Sequence, residues 1–299
     1  MDLYAEPCLA VILSDFGRDA ALRFCALLAK TERRRIKQSL PAGASFFDEY
    51  RRISLAIRGE VRHVKEPFLA AYREPPRLLD NAVKVGFLGG LEPSQIEARL
   101  GQLSLEAMRG PVARGVRSVQ VLLPSDSLAP VSWSLAQRFS TEEGIKALLD
   151  EVGASGDSLR DELCHRLVHE VDLTFPTVPE AVAQTAAAEG NSILLALGTR
   201  RIRKIYKEAV QRLGLELEVR KLSRDDRRLV IRAIHAALGG DRSEHTESLK
   251  AMLSLVRRHK MASGVDLFAV EAHSDLDYEV GLDSVTCYVD RLVDRVYGD

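Results

Sequence analysis

Two short polar triplets end apolar runs in this chain. One is Ser125-Asp126-Ser127 within VQVLLPSDSLAP, the other His273-Ser274-Asp275 within VDLFAVEAHSDLDY. Small polar residues at the end of a buried strand are where open α/β sheets bind ligands. The residue types allow several chemistries. The imidazole of His273 titrates near neutral pH, which suits a lone general base in a one-sided isomerase, decarboxylase or lyase. A serine hydroxyl holds its proton too tightly to act alone, so Ser125 would need His273 as its activating base, with Asp126 or Asp275 orienting the pair. The same groups could simply bind a small polar ligand, or His273 could hydrogen-bond the end of its strand.

Other constellations are weaker. HRLVH places His165 and His169 four residues apart on one helical face, with Glu162 and Glu170 nearby. That spacing can bind zinc, but it lacks the glutamate of HExxH and any evident third ligand, so it reads as an exposed helix face with no metal. GFLGG lacks the third glycine of a dinucleotide fingerprint, and no acidic residue ends a following strand at the right distance. Trp133 reads as an anchor in the core or at a domain interface.

The elements that must position these residues follow from periodicity. Apolar runs at residues 8–13, 83–90, 118–124, 192–199, 215–222 and 264–272 read as strands, and amphipathic segments at 92–108, 200–214, 223–240, 246–263 and 283–297 as helices. Apolar strands separated by helical segments argue for parallel strands covered on both faces, an α/β fold. Residues 134–172 read as helices broken at GASGDS, Gly214 as a helix stop and Ser223 as an N-cap. The charged, proline-interrupted stretch from Thr31 to Ala82 reads as surface helices and loops.

Composition narrows the partners. With 299 residues and a hydrophobic share of 46%, the chain is long enough for one large or two ordinary globular domains. Its 42 Lys and Arg nearly balance 43 Asp and Glu, which gives no reason to expect nucleic acid or an anionic membrane as partner. No apolar run reaches the ~20 residues needed to cross a bilayer. The first residues lack a basic n-region, so they do not read as a signal peptide. Cys8, Cys25, Cys164 and Cys287 lie far apart with no CxxC, as expected of reduced thiols in a cytoplasmic protein.

The order of segments resembles the aspartate/glutamate racemase superfamily, whose members work without pyridoxal phosphate. RGVRSVQVLLPSDSLAPVSWSLA is similar to that family's first catalytic segment, a strand running into Cys-Asn-Thr. GVDLFAVEAHSDLDY is similar to the second, a strand running into Cys-Thr-Glu-Leu. GFLGGLEP resembles the glycine-rich turn after the family's first strand, and LDSVTCYVDRLVDRVY, entered at Asp283, its final helix. The match spans roughly residues 84–130 and 175–299.

The resemblance implies two pseudo-symmetric α/β domains with parallel sheets covered by helices and a ligand cleft between them. Residues 1–178 with 284–299 would form the first domain, carrying an N-terminal extension and a helical insertion near 134–172, and residues 179–283 the second. The family's first cysteine falls on Ser125, its asparagine on Asp126 and its threonine on Ser127. The second falls on His273, or on Ala272 with a one-residue adjustment, with Ser274 and Asp275 following. Two-thiol racemisation in its usual form is therefore not expected. Carboxylate binding would fall to Ser127, Thr199, Arg200, Arg228, Ser274 and Asp275, because arginine grips a carboxylate with paired hydrogen bonds. Arg201 and Arg203 could enlarge that anion site. The resemblance implies a small carboxylic or amino acid as ligand, no cofactor and a homodimer. The activity is then cofactor-independent proton transfer of isomerase, lyase or decarboxylase type, or the chain is an inactive relative that binds a metabolite or a partner protein.

Overall fold

The computed structural model describes residues 9–13, 93–113, 117–122, 126–151, 158–197, 200–239, 267–268 and 284–297, with single positions between 27 and 43, at 115, and between 246 and 258. The strand expected at 83–90 and the surface segments expected before it lie outside these residues or touch them at single positions only.

Parallel strands alternate with helices, so the protein is of the α/β class. It divides into two compact units: Met1–Pro124, Pro130–Pro176 and Val296–Gly298 in the first, and Ser125–Ala129, Thr177–Arg295 and Asp299 in the second. The first unit holds a parallel sheet in the order β1 (Leu9–Leu13), β2 (Ser118–Leu122), β3 (Asp172–Thr174). Its register pairs Val11 with Gln120 and Gln120 with Thr174. β1 and β2 are the apolar runs read from the sequence. β3 was not expected there, because three residues, one exposed and two half-buried, are too few to show a period. The Asp172 N–H donating to the Arg117 carbonyl at 2.8 Å sets it beside β2.

Helix α1 (Pro93–Ala113) packs on β1. Its Leu100, Leu105, Met108 and Val112 are buried along one stripe, as a 3.6-residue period requires. Among the described residues, the region read as broken helices contains three: α2 (Ala129–Arg138), α3 (Glu142–Glu151) and α4 (Ser158–His169). α1, α3 and α4 pack on one another, burying Ile145, Leu148, Cys164 and Leu167. Phe139 and Phe175 meet with ring centroids 5.2 Å apart, and Trp133 is buried.

The entry to α3 is tight. Thr141 caps it by accepting from the Gly144 N–H at 3.1 Å. A Cβ at Gly144 would stand 2.1 Å from the Arg138 backbone oxygen, so the α2–α3 connection has no room for a side chain. Gly144→Ala is expected to cost about 1–3 kcal/mol, the usual range for forced overpacking. Chemical denaturation with an unchanged m-value would show it.

The second unit holds a second parallel sheet in the order β5 (Glu218–Val219), β4 (Ile193–Ala196), β6 (Leu267–Phe268). Helix α5 (Val178–Ala188) is capped by Thr177, which accepts from the Glu180 N–H and donates its hydroxyl to the Glu180 carboxylate. α5 packs against α6 (Arg200–Arg212), which also packs on β4 and β5. Ile202, Ile205, Tyr206, Ala209 and Val210 form the buried stripe of α6. Gly214, at φ +62°, ends that segment in the left-handed region, and the Leu215 N–H closes back on the Val210 carbonyl at 3.1 Å. Helix α7 (Arg224–Gly239) is capped by Ser223, which accepts from the Asp226 N–H at 3.1 Å. Helix α8 (Ser284–Tyr297) closes the chain with buried Cys287, Tyr288, Val289, Leu292 and Val293. Burial, reinforced by the Glu180 charge, pushes the Tyr288 phenol well above its ordinary pKa. Among the described residues no helix is long and apolar enough to cross a membrane.

Candidate functional site around Asp126

After β2 the chain turns through a single 3₁₀ turn, Asp126–Leu128. This turn belongs to the second unit and packs on α6. Leu128 and Ala129 are buried, which pins the turn and draws Asp126 inward with them. The Asp126 side chain is only 1% exposed. It meets Tyr206, which sits in the apolar stripe of α6 and is itself 1% exposed. The phenol donates to Asp126 Oδ1 at 3.2 Å. Among the described residues, Asp126 Oδ2 has no hydrogen-bond partner.

That arrangement sets the charge. Removing a carboxylate from water disfavours its ionised form, while one donated hydrogen bond favours it. Desolvation wins, and the Asp126 pKa rises from 3.8 to about 7 even with Tyr206 holding it down. At neutral pH the group is therefore about half protonated. A carboxyl with that poise can take up or release a proton at little cost, which is the property general acids and bases require.

The other sequence-derived site residues fall in different places. Ser125, Thr199, Ala272, His273, Ser274 and Asp275 lie outside the described residues. Ser127 shares the 3₁₀ turn with Asp126. Arg200 and Arg201 open α6 and are exposed. Arg203 is half-buried, and its Nε donates to the Val219 carbonyl at 3.2 Å, so it ties α6 to the end of β5. Arg228 is exposed on α7 and faces Asp225, one turn earlier, at 3.7 Å. Among the described residues the structure thus joins Asp126 to a partner that sequence reasoning had not placed in the site. The signal for Tyr206 was there: a phenol at a core position of an amphipathic helix must find a polar partner for its hydroxyl.

No family model matches the chain, and no curated protein does. Among solved structures, the aspartate racemase of Picrophilus torridus is similar over 95% of this chain and 94% of that one, at 12% identity and a TM-score of 0.45.

Proposed function

We propose that the protein transfers a proton to or from a small carboxylic or amino acid, without a cofactor, and that Asp126 is a proton-holding group of that reaction. The observation that carries this reading is the buried carboxyl itself: one oxygen held by Tyr206, the other with no hydrogen-bond partner among the described residues, and a pKa near neutrality. Perturbed carboxyls of this kind cluster at functional sites. The segment order that resembles the racemase superfamily supports a carbon acid as substrate, with His273 and Ser125 as further groups of the site. The absence of cysteine at 125 and 273 points away from rapid racemisation of aspartate or glutamate.

A second reading is favoured by the near-complete enclosure of Asp126. Here the protein binds a small anion without turning it over, and the protonated carboxyl is structural.

Hydrogen–deuterium exchange at the α-carbon, followed by proton NMR over a panel of amino, hydroxy and dicarboxylic acids, separates the two. The first reading expects exchange with at least one acid, slow for aspartate and glutamate. It also expects a fall of about 10²–10⁴-fold in Asp126→Asn, the range for removal of a general acid or base, with ligand affinity retained. Binding of an acid without exchange in the wild-type protein moves the second reading to first place. If no acid binds or exchanges, both are wrong.

A further inference from the structure

The two histidines of HRLVH stand on an exposed face of α4, and the fold brings beside them a third group that the sequence did not show. Glu142, at the start of α3, reaches across to α4. Its Oε1 lies 3.3 Å from His165 Nδ1 and 3.3 Å from His169 Nε2. One ligand atom from each of the three residues falls within 4.8 Å of the others. The two imidazoles stand side by side with ring centroids 4.6 Å apart.

We propose that Glu142, His165 and His169 form a zinc site that joins α3 to α4. Two imidazoles and one carboxylate are a donor set zinc accepts, and it leaves a fourth position for water. Zinc bonds of about 2.0–2.1 Å at the tetrahedral angle put neighbouring ligand atoms about 3.3–3.4 Å apart. The two Glu142–histidine separations already have that length, so binding needs adjustment chiefly along the histidine–histidine edge. A single hydrogen bond would bring one imidazole to the carboxylate, whereas here both share the same oxygen.

The surroundings fit. Lys146 Nζ holds the other carboxylate oxygen, Oε2, at 3.5 Å and is itself 3.6 Å from Asp161. The carboxylate is thus turned with Oε1 towards the histidines, as outer partners orient metal ligands. The histidine side chains are 60% and 54% exposed, which leaves an open approach for the ion and its water.

The test uses the full chain, freed of metal with a chelator and titrated with zinc chloride by calorimetry. Wild type should take up one zinc per chain at this site, and its melting temperature should rise with added zinc. Cobalt(II) in place of zinc should give the intense visible absorption of a four-coordinate ion. Loss of an outer partner alone weakens metal sites by about 10–100-fold, so His165→Ala and His169→Ala should each cost at least about tenfold, and the double variant should lose the site. Glu142→Gln keeps the side-chain shape and should weaken zinc as well, which separates loss of a ligand from misfolding. Equal zinc uptake by wild type and the double variant would place the metal elsewhere and overturn the proposal. So would a wild type that binds no zinc at micromolar concentration, or unchanged affinity in Glu142→Gln.

Discussion

Asp126→Asn should make the protein more stable at pH 8 and leave it almost unchanged at pH 4. The sign follows from where the proton sits. Asp126 has a folded pKa near 7, above its unfolded value of 3.8, so between those values the native state binds the extra proton. Stability then falls as pH rises through that window. The whole penalty is present above the folded pKa and absent below the unfolded one. A shift of this size corresponds to about 4 kcal/mol. Asparagine can still accept from the Tyr206 hydroxyl, and it cannot ionise. Its amide N–H₂ would take the place of Oδ2, which has no partner among the described residues. At pH 4 the wild-type carboxyl is protonated and faces the same lack, so the two proteins match there. Urea unfolding from pH 4 to pH 8 measures the difference. Parallel curves would mean that Asp126 titrates as an ordinary aspartate and would remove the physical basis of its proposed role.

Tyr206→Ala should be among the most damaging single changes in the second unit. The side chain is almost fully buried between neighbours that α6 presents at fixed spacing. Truncating a large buried aromatic leaves a cavity and costs about 3–5 kcal/mol. Tyr206→Phe keeps the ring and deletes only the donor, so it should cost less, about 1–3 kcal/mol for a buried acceptor left unpaired. The phenylalanine variant has a second expected signature. The Tyr206 bond is what lowers the Asp126 pKa, so its loss should move the pH dependence of stability to higher pH. In Asp126→Asn that movement has nothing to act on and should vanish. A double-mutant cycle over pH reads this coupling directly, and full additivity at every pH would show that the 3.2 Å contact is energetically empty.

Local sequence carried much of the architecture. The stripe Ile202, Ile205, Tyr206, Ala209, Val210 repeats at the helical period, so α6 and its buried face could be read directly. Ser223 and Gly214 mark helix ends through side-chain capping and a left-handed backbone, both effects confined to a few residues. Strands β1, β2 and β4 stand on apolar runs of the length a covered parallel sheet needs. The polar triplet at Asp126 was visible as a break in such a run. β3 was not visible, since its three residues become a strand only by pairing with β2.

The surroundings of the residues in the two candidate sites were decided by contacts between distant parts of the chain. Asp126 and Tyr206 lie 80 residues apart, and nothing near either one announces the other. The pKa of Asp126 is raised by its burial, and that burial comes with the packing of its turn on α6. The same holds for Glu142 and His165, 23 residues apart. The histidine pair is written in the sequence at i and i+4, but its third partner depends on how α3 packs against α4. Periods and caps act over one turn of chain, so sequence reveals them. Desolvation and ligand convergence are sums over neighbours in space, and only the folded chain determines which neighbours those are.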